Sequence, residues 1–227
     1  MSKDMLGSVV RAAVSVPQGR MELLARIASD LAHDNSNGDY WHAHYNSVRK
    51  EGFPAPQFER NEHGHIVLTF DGLDLTGEQE IERLNEAGFR VSDWAKSCLT
   101  SKKKDGYDKC HRLEDGREYQ LVIIPGKEVG RNRTTAELRK YAAGFGYEQP
   151  LAGAAPRMRE SVSDEMMKEM GFWYIAALHD HITGSVGSPG ALDANRRGDG
   201  HWLHASWDDP GGQWVGDGAF AFLVPAS

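Results

Sequence analysis

Apolar positions recur along the chain in two rhythms, one with the spacing of helices and one with that of strands. Between Gly19 and Ala32, residues Met21, Leu23, Leu24, Ile27 and Leu31 fall on one helical stripe. Asn35–Ser36–Asn37–Gly38 breaks it, and Asp39–Lys50 reads as a second helix that ends before the Pro54–Ala55–Pro56 segment. Ile66, Leu68 and Phe70 alternate, which predicts a strand over 65–70. Thr76–Gly77–Glu78–Gln79 is a capping-box pattern opening a helix through Ala87, with Gly88 just past its end. A short helix follows over 91–99, in which Trp94, Cys98 and Leu99 look like core. Residues 107–113 and 117–124 read as a hairpin joined through Glu114–Asp115–Gly116. Thr134–Thr135–Ala136–Glu137 opens another helix to about Ala143.

The rhythm then changes. Residues 144–156 hold several glycine and proline breaks, so 144–162 is expected to be a linker. Ser163 caps a short helix ending at Gly171. Residues 172–178, 191–196, 201–207 and 219–224 read as four short strands separated by glycine-rich connections. The expected architecture is therefore α+β. A helix-containing part with short strands and a hairpin spans 1–143, and 163–227 carries a short helix and an antiparallel β-meander.

The 227 residues are 40% hydrophobic and 26% charged, a globular balance. No apolar run approaches the roughly 20 residues of a membrane-spanning helix. Residues 1–20 lack a dense basic start and a clear cleavage site, so a cytoplasmic protein with no membrane partner is expected. Cys98 and Cys110 form no disulfide framework and read as reduced thiols.

Charge is unevenly spread. The net charge is −7, yet residues 102–140 carry 11 basic and 7 acidic side chains, while 160–227 carry 3 basic and 10 acidic. An acidic chain is not a generic nucleic-acid binder, although Lys102, Lys103, Lys104, Lys127, Arg131 and Arg133 would supply a local basic patch. The loop 125–135 lies between a strand and a helix, a layout that binds anions through backbone N–H groups. Its Gly126–Lys127 is followed by Glu128, which departs from the phosphate-loop pattern, so a solvated connector is the expectation.

Ten histidines include the pairs His42/His44, His63/His65 and His179/His181. His179/His181 and His201/His204 lie in the same meander; ligands two apart on a strand face one way, so His179 and His181 with a carboxylate could hold a divalent metal, whereas His201 and His204 fall on opposite faces. His63 and His65 flank Gly64 in what reads as an exposed turn, and a helix would turn His42 and His44 apart. Ordinary satisfied histidines are the more economical reading, and no cofactor is expected. Four of the six tryptophans lie in the last 55 residues. No nucleophile elbow, kinase signature or dinucleotide fingerprint is present. The expectation is therefore a non-enzymatic accessory or inhibitor protein, of a kind that mobile genetic elements encode. It would occupy the surface of another protein through Trp202, Trp207, Trp214, Asp208 and Asp209. A metal-dependent enzyme using His179 and His181, or a nucleic-acid-binding regulator using 102–140, are the alternatives.

Overall fold

The computed structural model describes residues 58–185 and 187–225, which lie in one compact unit. The helices expected over 19–32 and 39–50, with His42 and His44, lie outside the described residues.

Eight strands form a single mixed sheet. In chain order they are β1 (Ile66–Asp71), β2 (Arg90–Val91), β3 (Glu118–Pro125), β4 (Tyr174–Ala177), β5 (Ile182–Thr183), β6 (Pro189–Arg197), β7 (Gly200–Trp207) and β8 (Ala219–Leu223). Their order across the sheet is β1-β3-β8-β4-β6-β7-β2, with β5 attached to β6. The helices are α1 (Gly77–Glu86), α2 (Asp93–Leu99), α3 (Tyr107–Cys110), α4 (Thr135–Ala143), α5 (Ala154–Ser161) and α6 (Asp164–Glu169).

Local chemistry explains where the helices begin. Thr76 and Gln79 make a full capping box, and Ser92, Thr134 and Ser163 each accept a hydrogen bond from a backbone N–H of the first turn. Gly88 and Gly171 leave helices at φ +84° and +80°, where a Cβ would be strained.

Side-chain parity explains the layers. Leu121, Ile123, Ala219, Ala221, Ile175, Leu192 and Leu203 face one way, under α1, α2, α5 and α6. Val122, Ile124, Phe220, Phe222, Tyr174 and Ala176 face the other way, under Leu138 and Ala142 of α4. Burying Phe220 and Phe222 is each worth roughly 1.5–3 kcal/mol.

The architecture is α+β, but the C-terminal strands are not a simple meander. β4, β6 and β7 pair antiparallel in sequence, whereas β8 returns to the centre, parallel to β4 and antiparallel to β3. The cause is its sequence, AFAFL. Alternating Ala and Phe make both faces apolar, and a strand apolar on both faces belongs in the middle of a covered sheet. The pairing of β3 with β8 also unites residues on both sides of the expected 143/163 division.

Two further expectations are corrected. The stretch 144–162 is not a linker, because it carries α5, where Ala154, Ala155 and Met158 are buried in the core. Residues 107–113 do not form a hairpin with β3; β1 is its partner, in the register Ile66↔Ile123 to Asp71↔Glu118. Asp108 instead accepts from the Gly77 N–H at 2.8 Å and draws this segment to the start of α1. Tyr107 is fully buried there.

Candidate binding surface

β7 is an edge strand for half its length. β2 pairs with it only at Trp202 and Leu203. Asp208 N–H donates to Pro189 O, whereas Leu203 O accepts from Ser92 N–H on the opposite side. Alternation then turns the backbone groups of Ala205 and Trp207 away from β6, toward a side where no described strand follows. α2 packs beside this edge. It comes close because position 190 is glycine: a Cβ there would lie 2.7 Å from the Cys98 sulfur. Gly190, Ala205 and Cys98, with Trp94 and Trp207, line a cavity of about 420 Å³. Burial pushes the Cys98 thiol up to about 11, so it is a packing group rather than a nucleophile.

A second cavity, about 220 Å³, opens beside Ser206, whose side chain lies on the other face of β7. Tyr174, Trp207, Trp214, Val215, Asp209 and Gln213 line it. The connection 208–218 that supplies most of these is tied to loop 129–135. Trp214 N–H donates to Arg133 O at 3.0 Å, Arg133 Nε donates to Trp214 O at 3.0 Å, and Arg133 N–H donates to Gln213 Oε1 at 2.7 Å. Gly218 lets the connection pass Tyr174, since a Cβ would fall 2.2 Å from that ring. The Tyr174 hydroxyl donates to Val215 O at 3.0 Å. Burial raises its pKa, and the Asp217 and Asp193 carboxylates add to this.

The two cavities share the lining residues Ser206 and Trp207. Five large apolar side chains are exposed among the described residues, and three of them line these cavities: Trp207 at 71%, Val215 at 60% and Trp94 at 55%. These three side chains leave apolar surface uncovered beside the two concavities.

The sequence candidates divide. Trp207, Trp214 and Asp209 converge at the smaller cavity. Trp202 does not: its indole N–H donates to Asp199 at 3.0 Å, and Arg90 and Arg197 lie over its ring at 5.5 and 5.6 Å. Asp208 is buried and accepts from the Thr135 hydroxyl, so the chain's own carboxylate occupies the start of α4, where an anion would otherwise bind. Trp94, read as core, is on the solvent side of α2 because Ala95, Cys98 and Leu99 form the buried stripe.

The histidine pair is corrected as well. β4 ends at Ala177, so strand parity does not apply to His179 and His181. His179 is fully buried, and its Nε2 accepts from the Leu192 N–H at 2.9 Å while Nδ1 donates to Asp180 O at 2.6 Å. Both nitrogens are used, burial pushes its pKa down to about 3, and His181 is exposed. Among the described residues no three His, Cys, Asp or Glu side chains gather as a metal set. His65 is buried rather than in an exposed turn, with Nδ1 3.0 Å from the Tyr147 hydroxyl and Nε2 3.1 Å from Glu128.

Several basic candidates are engaged locally. Lys102 lies 3.2 Å from Asp108, Lys103 donates to Gly184 O at 2.8 Å, and Arg133 donates to backbone carbonyls. Lys104, Lys127 and Arg131 are exposed. Two buried charges, Glu80 and Arg157, pair at 2.5 Å inside a network with Arg83 and Glu160 that opens to neither cavity.

No helix among the described residues is long and apolar enough to cross a membrane. No family model, curated protein or solved structure matches the chain.

Sequence reasoning missed Trp94, Tyr174 and Val215 as members of this surface. For Trp94 the signal was present: it falls off the i, i+3, i+4 stripe of its own helix. For Tyr174 and Val215 it was not, since the fold of 208–218 brings them together.

Proposed function

We propose that this protein is a non-enzymatic accessory or inhibitor protein that works by seating the Trp94–Trp207–Val215 surface on another protein. The observation that carries this reading is the 71% exposure of Trp207, which lines two cavities beside a strand edge that no described strand covers. An indole this exposed adds little to folding, whereas tryptophan at the centre of an interface is a preferred anchor. Among the described residues no strand pairs with the backbone of Ala205 and Trp207, and that edge would offer an extended partner segment main-chain hydrogen bonds in register with the anchor. Acidic side chains in 160–227 favour a partner face with basic character.

Co-purification from the native cell tests the proposal. Wild type and Glu82→Ala, whose substitution lies on exposed α1, should retain one partner in stoichiometric amount, and Trp207→Ala should lose it. A partner held equally by all three, with the Trp207→Ala chain folded, rejects this surface.

A further inference from the structure

We infer that the two cavities are paired side-chain sites for one extended segment of the partner, in which a large apolar residue and a lysine or arginine are neighbours in sequence; the inference rests on the protein-binding reading above. The larger cavity takes the apolar side chain and the smaller takes the cation. The cavities lie on opposite faces of β7 at consecutive positions. Ala205 is paired with Leu192 and Trp207 with Gly190, so their side chains share the face on which α2 packs and the larger cavity lies. Ser206 turns to the other face, where the smaller cavity opens. Ala205 and Trp207 turn N–H and C=O groups away from β6, and no described strand takes them. A segment bonded there has a fixed register, and its successive side chains point to opposite faces. Whichever way it runs, it offers neighbouring side chains to the two cavities.

Chemistry assigns the side chains. Among the described residues no Asp, Glu, Lys or Arg lines the larger cavity. Its floor is low, because Gly190 brings no side chain and Ala205 a single methyl. The Ser97 hydroxyl is occupied: it accepts the Ser185 N–H at 2.7 Å and lies 2.8 Å from the Ser185 hydroxyl. Trp94 and Trp207 supply exposed apolar surface. A cation seated here would lose water and gain no carboxylate, whereas a large apolar side chain gains from burial.

The smaller cavity differs by one charge. Asp209 lines it, is exposed, and enters none of the ion pairs among the described residues. Other acceptors around it are engaged: Val215 O by the Tyr174 hydroxyl, and Trp214 O and Gln213 Oε1 by Arg133. The Ser206 hydroxyl donates to the fully buried Asp193 carboxylate at 2.8 Å. The Asp209 carboxylate is thus the group left to answer a ligand, and it calls for a cation. A lysine or arginine can lay its apolar stem along Val215 and Trp214 while its charged head meets Asp209.

The test is titration of the full chain, with indole N–H signals assigned, by capped polythreonine peptides that carry one phenylalanine and one arginine. Two probes place them side by side, one in each order. Controls put one threonine between them, which turns both to one face, or exchange the arginine for glutamate, or the phenylalanine for alanine, or N-methylate the backbone of both residues. One adjacent probe should shift the Trp207 signal saturably and bind at least about fivefold more tightly than every control. Asp209→Asn should remove most of the preference for arginine over glutamate, and Trp94→Ala should reduce that for phenylalanine over alanine, with the fold intact by circular dichroism. Absence of saturable shifts at millimolar peptide, equal binding of the spaced peptide, or an unchanged arginine preference in Asp209→Asn overturns the paired sites. If they fail while Trp207→Ala still releases the co-purifying partner, only the pairing is rejected; if Trp207→Ala releases nothing, the surface itself falls.

Discussion

Trp214 donates its indole N–H to the Thr135 hydroxyl at 2.9 Å, and that hydroxyl donates onward to the buried Asp208 carboxylate. This relay joins the connection 208–218 to the first turn of α4 and holds one wall of the smaller cavity.

Asp208 is therefore structural, although it lies beside an exposed acid in a Pro-Gly-Gly turn. Asp208→Ala leaves Thr135 without its acceptor and removes a carboxylate from a helix N-terminus. It should cost about 1–3 kcal/mol in urea denaturation. Asp209→Ala should change stability by no more than about 0.5 kcal/mol. Equal effects of the two would contradict the relay.

Gly190 is predicted to be required by Cys98. Gly190→Ala places a methyl 2.7 Å from the sulfur on ideal geometry and should destabilise by about 1–3 kcal/mol. Cys98→Ala combined with it should recover most of that loss, because the clashing atom is gone. A double-mutant cycle reads the coupling, and additivity would show that α2 does not rest on this floor.

His179 should make stability depend on pH. Its folded pKa is about 3, well below the ordinary 6.5, because burial disfavours the charged ring. The unfolded chain therefore binds a proton that the folded chain does not, throughout the window between about 3 and 6.5. The stabilisation is fully present above 6.5 and is lost as pH falls, at up to about 1.4 kcal/mol per pH unit. Burial of Glu80 acts in the opposite sense, raising that carboxyl to about 7, so the comparison is made against His179→Gln. The wild-type advantage over that variant should shrink from pH 6.5 to 4.5. A constant difference would show that His179 titrates normally.

Much of the fold was legible where the physics is local. Thr76, Ser92, Thr134 and Ser163 mark helix starts because a cap acts within three residues. The Ala/Phe alternation of β8 held the information that it is a central strand. The partner of β3 was not legible, because residues 66–71 and 107–113 compete for it and the capping role of Asp108 at Gly77 decides. The site was half visible. Trp207, Trp214 and Asp209 stood out by residue type and exposed turn context, while Tyr174 and Val215 joined them only through folding of 208–218. His179 misled because its neighbours Leu192 and Asp180, rather than its spacing from His181, determine what its nitrogens do.

The anchor and the steering charge should separate kinetically. Trp207→Ala should chiefly speed dissociation of the partner, with stability within about 0.5 kcal/mol of wild type, given its exposure. Asp209→Lys should slow association and flatten its salt dependence. An association rate indifferent to both ionic strength and Asp209→Lys would remove electrostatic steering from the account.

The central claim is that the face around Trp207 meets another protein. Photo-crosslinking amino acids placed singly at positions 94, 207 and 215, and at 82 and 140 as exposed controls, test it in the native cell. The account predicts one common protein adduct at 94, 207 and 215, absent at 82 and 140. Excess wild-type protein should compete it away, and Trp207→Ala protein should not. Adducts of equal yield at the control positions, or competition by Trp207→Ala as effective as by wild type, would contradict it.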